Sequence, residues 1–139
     1  MKKITIFIHG IYKMGGTEKV VSLIANELSK KYEVEIISLH KDAEKPFYKI
    51  NENIKIIDIL GKELKPIKLY YPYLMIKVRN ALKDYKTDVF ICAGMGDVGL
   101  TTFMSKKTKY IAWEHFNALQ GKPRRSYVAW KKTCSKICR

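Results

Sequence analysis

Five short, largely apolar runs recur along the chain, and several of them contain consecutive β-branched residues. They cover residues 4–9, 33–39, 54–59, 88–93 and 109–113. Runs of this length and composition are typical of strands that are buried in a sheet. The pattern therefore predicts five strands in this order.

The segments between these runs have features of helices. They predict helices over residues 17–30, 72–85 and 97–105, and a last helix from about residue 124. In the first helix the expected apolar face consists of Val20, Val21, Ile24 and Leu28. In the second helix it consists of Leu74, Met75, Val78, Ala81 and Leu82. In the last helix it consists of Tyr127, Trp130, Cys134 and Ile137.

The alternation of strands and helices predicts the fold class. It favours an α/β domain with a doubly wound parallel β-sheet and helices on both faces, a Rossmann-like fold. At 139 residues the chain suits a single domain with a real core. Ligands of such sheets bind beyond the carboxyl ends of the strands, so we expect residues 10–16, 94–97 and 114–117 to meet at one edge.

A glycine pair stands where the first strand passes to the first helix. Gly15 and Gly16 would leave backbone N–H groups uncovered at the positive end of the helix dipole, a corner that favours a phosphate or diphosphate. Thr17 is the expected N-cap, and Glu18 falls in the first turn. The spacing fits neither a dinucleotide fingerprint nor a P-loop, so a tight turn without a ligand remains the alternative.

Charge is distributed unevenly. The chain carries a formal net charge of +14, with 10 basic and 8 acidic residues in 1–60 but 17 and 5 in 61–139. A basic face in the second half suits an anionic membrane surface, a phosphorylated substrate or nucleic acid, and the alternative is a solvated surface without a partner. No nucleic-acid-binding motif is present, so nucleic acid ranks last.

Basic residues alternate with tyrosines in one region. The group comprises Lys62, Lys65, Lys68, Tyr70, Tyr71, Tyr73, Lys77 and Arg79. Such a mixture suits an anionic membrane interface, and we call it the predicted membrane patch. The alternative is that the tyrosines pack in the core and the lysines are merely solvated.

The cysteines predict neither a disulfide framework nor a metal site. Cys92 ends an apolar run and reads as a buried thiol, whereas Cys134 and Cys138 lie one helical turn apart. A reducing compartment is the expected setting, and no metal is predicted. The first apolar run is too short and too interrupted for a signal peptide, and no run is long enough to span a bilayer.

With these elements placed, the chain resembles the N-terminal domain of family 4 glycosyltransferases, which are retaining enzymes built from two Rossmann-like domains (the GT-B architecture). The resemblance covers nearly the whole chain and rests on five segments: MGGTEKVV at 14–21, EVEIISL at 33–39, PFY at 46–48, IKII at 54–57 and WEHFN at 113–117.

The resemblance implies roles for particular residues. Gly15, Gly16 and Thr17 would approach the diphosphate and sugar of a nucleotide-sugar donor. His115 would lie beside the donor sugar and orient it, with Glu114 as a second catalytic candidate by position. The acceptor side would include His9, Gly10, Phe116 and Asn117.

Family members continue into a second domain that carries the nucleotide pocket, whereas this chain stops at Arg139. The expectation is therefore an acceptor-side domain over 1–139 that does not transfer sugar by itself. The family acts in cell-surface glycan assembly, which implies a nucleotide-sugar and a glycan or lipid-linked acceptor as partners, and a cytoplasmic location, peripheral on the inner face of the plasma membrane. The nucleotide-sugar is a substrate, and no cofactor is expected. The alternative is a non-enzymatic basic module that docks on a membrane or on a partner subunit.

Overall fold

A computed structural model describes residues 1–62, 70–103 and 108–113. The elements follow the order β1 (Lys3–Ile8), α1 (Gly16–Leu28), β2 (Glu33–His40), β3 (Lys55–Leu60), α2 (Tyr70–Leu82), β4 (Val89–Ala93), α3 (Met95–Thr101) and β5 (Lys109–Trp113). All five predicted strands and the first three predicted helices are confirmed within a few residues at their ends. The predicted last helix lies outside the described residues.

The five strands form one parallel sheet in the order β3-β2-β1-β4-β5. The chain moves outward from β1 to β3 and then crosses back to β4 beside β1. This is the doubly wound Rossmann-like arrangement, and the predicted fold class is confirmed. The direction of strand order reverses between β1 and β4, so the switch point of the sheet lies between these two strands.

Alternate residues of the strands supply two separate cores, one on each face of the sheet. Ile4, Ile6 and Ile8 of β1 pack with Val21 and Ala25 of α1. On the opposite face, Phe7 of β1 and Phe90 of β4 belong to a cluster with α2 and α3 that includes Leu74, Val78, Leu82, Val98 and Leu100. Helices therefore cover both faces, as predicted.

Two details of the helix predictions are wrong. Gly15, with φ −144° and ψ 167°, is the N-cap of α1, and Thr17 lies inside the first turn. The helix begins earlier than expected because the glycine pair itself makes the turn into it. In α2, Met75 and Ala81 are exposed rather than buried. Only the residues spaced four apart along α2 face the sheet, so its apolar face is narrower than predicted.

A buried charge stands at the amino edge of the sheet. The Glu35 side chain on β2 is 8% exposed, and its carboxylate lies 2.9 Å from the ammonium of Lys3 on β1. The hydroxyl of Tyr85 donates to the same carboxylate. The Lys3 ammonium also lies 4.9 Å from the centre of the Tyr85 ring. These contacts join β1 and β2 to Tyr85, which follows α2. They lie toward the amino ends of the strands, whereas the candidate site lies at the carboxyl ends.

Cys92 is a buried thiol, as predicted, and burial raises its pKa to about 12. None of the helices in the described ranges combines the length and apolar character that crossing a bilayer requires. Within the same ranges, no three His, Cys, Asp or Glu residues are grouped in a way that could hold a metal ion.

Candidate functional site

The carboxyl ends of β1, β4 and β5 lie side by side. Ile8 is in register with Ala93, and Ala93 with Trp113. Gly94 follows β4 with φ +126°, a left-handed conformation that favours glycine, and its N–H donates to the carbonyl of Trp113 at 3.0 Å. The loops after β1 and β4 therefore share one edge of the sheet, at the switch point.

A histidine and an aspartate meet across the switch point. His9 follows β1, Asp97 lies in the first turn of α3, and the His9 Nδ1 is 3.1 Å from the Asp97 Oδ1. The Asp97 side chain is 9% exposed and that of His9 is 44% exposed. A buried carboxylate that holds one ring nitrogen of a half-exposed histidine fixes the orientation of the ring and favours the Nδ1–H tautomer. We call these two residues the His9–Asp97 pair.

A second histidine, His40, packs against His9. His40 at the end of β2 is 1% exposed, and its ring centre lies 5.0 Å from that of His9, with the ring planes at 58°. The backbone N–H of His40 donates to the backbone carbonyl of His9 at 3.0 Å, and the ring Nδ1 of His40 lies 3.4 Å from the Gly61 carbonyl oxygen. His40 therefore ties the ends of β1, β2 and β3 together.

Hydrogen bonds fix the loop that follows β1. The Tyr12 hydroxyl donates to the Asp58 carboxylate on β3, at 2.8 Å from each oxygen, and the Ile11 N–H donates to the Ser38 hydroxyl at 3.2 Å. Burial, and then the hydrogen bond and charge of Asp58, raise the pKa of the Tyr12 phenol above its ordinary value. Beside Gly10, the Lys13 ammonium lies 3.4 Å from an oxygen of Asp42. The path from β1 to the glycine pair is thereby held in place.

The glycine pair presents one open and one occupied position. Gly16 is exposed, and a Cβ built on it would meet nothing within 4 Å. A Cβ on Gly15 would overlap the carboxylate of Glu18, which folds back over the start of α1. No side chain donates or accepts a capping hydrogen bond at Gly15. The space where a Gly16 side chain would stand is open, and a ligand reaching Gly15 would displace the Glu18 carboxylate.

The remaining predicted site residues divide into two groups. Glu114, His115, Phe116 and Asn117, together with Lys65 and Lys68, lie outside the described residues. Of the predicted membrane patch, Lys62, Lys77 and Arg79 are exposed, as are Tyr71 and Tyr73 at 48% and 44%. The two described tyrosines thus lie outside the core. Nothing is described of the Tyr70 side chain, although Tyr70 begins α2.

Sequence reasoning missed the partners in this site. It placed Asp97 at the edge but did not pair it with His9, and it gave no role to Tyr12, Asp58 or His40. These contacts join residues far apart along the chain, which no local pattern reports. The arrangement offers an imidazole whose orientation is held by Asp97. It also offers open space at a helix start, where the dipole favours an anion.

Two proteins that the chain resembles over most of its length are named glycosyltransferases. No protein-family model matches the chain. It is 34% identical over 121 residues to an uncharacterized glycosyltransferase of Haemophilus influenzae, a match that covers 84% of this chain and 33% of that protein. It is 32% identical over 132 residues to the Campylobacter jejuni enzyme named GalNAc-alpha-(1->4)-GalNAc-alpha-(1->3)-diNAcBac-PP-undecaprenol alpha-1,4-N-acetyl-D-galactosaminyltransferase. This match covers 89% of this chain and 35% of that enzyme.

A third, shorter similarity is to an exopolysaccharide phosphotransferase of Streptomyces coelicolor, at 32% identity over 69 residues, which is 48% of this chain and 7% of that protein. The chain thus spans about a third of the length of the two glycosyltransferases that it matches over most of its own length. The similarity to proteins named glycosyltransferases agrees with the resemblance found in the sequence.

Proposed function

We propose that this chain is the acceptor-side, N-terminal domain of a family 4, GT-B glycosyltransferase that moves a sugar from a nucleotide-sugar to a lipid-linked or polysaccharide acceptor. The open space at Gly16 carries the proposal, because it lies at the start of a 13-residue helix whose dipole favours an anion. Its support from relatives is the similarity to two named glycosyltransferases, one of which acts on a PP-undecaprenol-linked sugar by name.

The amide corner suits the charge that sugar transfer creates. As the bond between the sugar and the diphosphate breaks, negative charge grows on the departing diphosphate. Backbone N–H groups that are already oriented stabilise such charge without further reorganisation. Glu18 beside Gly15 opposes an anion in the resting structure, so donor binding requires its carboxylate to turn away. Gly16 and Thr17 would then face the diphosphate.

The segment after β5 would complete the donor side. Trp113 ends β5 in register with Ala93, next to the Gly94 turn. His115 and Glu114 follow within two residues along the chain. In this proposal His115 orients the transferred sugar, while Phe116 and Asn117 contribute to the acceptor side with His9 and Gly10.

A transfer assay tests this function. The polypeptide encoded by the whole reading frame that contains this chain is incubated with a panel of radiolabelled nucleotide-sugars, including UDP-N-acetylgalactosamine, and an undecaprenyl-diphosphate-linked oligosaccharide. We expect label to move into the lipid extract only when the acceptor is present. If no nucleotide-sugar of the panel is bound or consumed, the proposal is wrong.

We further propose that the outer face of α2 binds an anionic membrane. Ile76 is 61% exposed, Met75 43% and Tyr73 44%, so three large apolar side chains of one helix are open to solvent. The Lys77 ammonium lies 5.7 Å from the centre of the Tyr73 ring, and Arg79 is also exposed. Apolar and basic side chains together on one exposed helix face favour a surface of anionic lipid, where a lipid-linked acceptor resides.

The exposed Lys83 directly follows α2 and extends its basic surface. Replacing Lys77, Arg79 and Lys83 with alanine is expected to weaken binding to phosphatidylglycerol vesicles on the order of 100-fold, since each basic residue contributes about 1 kcal/mol near an anionic surface. Flotation with vesicles at low and high salt measures this. The control replaces three exposed lysines away from α2, Lys31, Lys45 and Lys55, and should change binding little. Equal loss in both variants, or equal binding of the parent chain to neutral vesicles, would count against a specific α2 surface.

A further inference from the structure

One oxygen of the Asp97 carboxylate has no hydrogen-bond donor in the part of the chain that the structure describes. Its Oδ1 lies 3.1 Å from the His9 Nδ1, whereas no described group donates to its Oδ2. Asp97 lies in the first turn of α3, which follows β4, and the strand order reverses between β1 and β4. Ligands of open α/β sheets bind in the crevice at such a switch point, so Oδ2 lies where a ligand is expected.

The space next to that oxygen is kept open by a glycine. Gly94 precedes α3 with φ +126°, and its N–H is engaged by the Trp113 carbonyl at 3.0 Å. Among the described residues, and apart from its chain neighbours, a Cβ built on Gly94 would meet only the Asp97 Oδ2, at 3.9 Å. The left-handed backbone disfavours any side chain at this position. The turn that requires glycine therefore also leaves room beside Oδ2.

Burial makes a donor at this oxygen valuable. The Asp97 side chain is 9% exposed. An ionised carboxylate offers about four lone-pair positions, and a buried charge is costly unless hydrogen bonds satisfy it. The position of Asp97 is fixed, because its backbone N–H donates to the Gly94 carbonyl at 3.3 Å and the Thr101 hydroxyl donates to its carbonyl at 3.3 Å. The crevice thus presents a fixed acceptor that a ligand can satisfy.

Two other carboxylates near the loop after β1 are engaged more fully. Both oxygens of Asp58 accept from the Tyr12 hydroxyl at 2.8 Å, and the Lys41 ammonium lies 3.7 Å from one of them. Asp42 is paired with the Lys13 ammonium at 3.4 Å. Asp97 therefore differs from both, because its described contact with another side chain leaves Oδ2 for a ligand.

The chemistry of this acceptor selects the kind of ligand group. A carboxylate repels a phosphate or diphosphate, whereas a hydroxyl that donates to it forms a short and strong hydrogen bond. The space that favours an anion lies on a different element, at Gly16 at the start of α1. A glycosyl group attached to a diphosphate carries both kinds of chemistry, and its uncharged ring hydroxyls are the part that suits Asp97.

We propose that Asp97 determines sugar specificity, with its Oδ2 accepting a hydrogen bond from one ring hydroxyl of a sugar that lies beside Gly94. This inference rests on the proposed sugar transfer. The donor and the acceptor both carry sugar hydroxyls, and the experiment separates these two sources. In either case the contact favours a sugar that carries this hydroxyl over one that lacks it.

The test uses sugars that lack single hydroxyls, with the polypeptide of the whole reading frame. In one series, UDP-N-acetylgalactosamine, or whichever nucleotide-sugar of the panel is consumed, has each hydroxyl of its transferred sugar removed in turn. In the other series, the undecaprenyl-diphosphate-linked oligosaccharide has each hydroxyl of its terminal sugar removed. We expect the kcat/KM of the parent to fall roughly 10- to 100-fold for one analogue, the effect of losing a hydrogen bond to a charged group. The series that contains this analogue identifies the source.

Asp97→Ala should lower kcat/KM for the intact sugar by a similar factor and should no longer distinguish that analogue from it, because the variant and the analogue remove the same contact. Asp97→Asn keeps the size of the side chain but removes its charge, and it should lose most of the same discrimination. It supplies the test if Asp97→Ala does not fold, which thermal unfolding measures. Asp84→Ala, at a side chain that is 87% exposed, is the matched control and should discriminate as the parent does.

Two results would overturn the inference. In the first, the parent transfers sugar but uses every analogue within about threefold of the intact sugar. In the second, Asp97→Ala and Asp97→Asn reduce kcat/KM for all sugars by one common factor, which is the effect of a purely structural residue. If the parent instead neither binds nor consumes any nucleotide-sugar of the panel, the proposed function itself is wrong and this inference falls with it.

Discussion

Glu35→Ala is expected to lower the free energy of unfolding by about 3 kcal/mol, because it breaks a buried ion pair by removing one partner. The Glu35 side chain is 8% exposed, and it accepts from both the Lys3 ammonium at 2.9 Å and the Tyr85 hydroxyl. Without the carboxylate, a 26% exposed ammonium and a phenol at the amino edge of the sheet lose their acceptor. Urea denaturation of the 139-residue chain, followed by circular dichroism, measures the change.

The chain provides a matched control for this result two residues away on the same strand. Glu33 also faces Lys3, but its side chain is 55% exposed and the charged atoms are 4.0 Å apart. Exposed pairs of this kind contribute little, so Glu33→Ala should cost less than about 1 kcal/mol. Equal losses for Glu33→Ala and Glu35→Ala would show that burial does not set the strength of this pair.

The position of Glu35 also shows where prediction from sequence ends. The strand over 33–39 could be predicted because consecutive β-branched residues are typical of a buried strand. The alternation of strands and helices could likewise be predicted to give a parallel, doubly wound sheet. That a carboxylate within such a strand would be buried could not be predicted, because its partners Lys3 and Tyr85 lie 32 and 50 residues away along the chain.

The candidate site also has a part that the sequence could predict and a part that it could not. The glycine pair and the edge that it shares with Gly94 follow from local sequence and from the rule for parallel sheets. The His9–Asp97 pair does not, since 88 residues separate its members and their contact exists only because β1 and β4 are neighbours. The N-cap was predicted at Thr17 from side-chain preference, whereas the structure uses the extended backbone of Gly15.

The Glu18 carboxylate has two effects, and the sequence indicates only the first. From sequence it is a carboxylate in the first turn of a helix, where the dipole stabilises it. In the structure it also covers Gly15, so the same charge that stabilises the helix opposes a second anion at the corner. The proposed donor therefore competes with the Glu18 carboxylate for the space beside Gly15. Removing the Glu18 charge should strengthen donor binding, whereas adding a side chain at Gly16 should weaken it.

Gly16→Ala should weaken nucleotide-sugar binding about tenfold, and Gly16→Val about 100-fold, if the donor diphosphate rests on this amide; tenfold corresponds to about 1.4 kcal/mol. A Cβ at Gly16 would meet nothing within 4 Å, so the fold accepts the side chain while the corner loses the space that the diphosphate needs. Stability should stay level or rise slightly with Ala, because Gly costs helices more entropy than Ala. Calorimetric titration and thermal unfolding measure the two effects in the same samples.

Gly61→Ala is the control for this series, because a Cβ there also meets nothing within 4 Å and it follows β3 rather than opening α1. It should leave donor affinity unchanged. Glu18→Gln should strengthen binding roughly twofold to fivefold, since an opposing charge of about 0.3–1 kcal/mol at a helix start is removed. Unchanged affinity in both Gly16→Ala and Gly16→Val, with the parent binding normally, would place the diphosphate elsewhere, because a diphosphate bound at Gly16 would contact a side chain that fills the open space there.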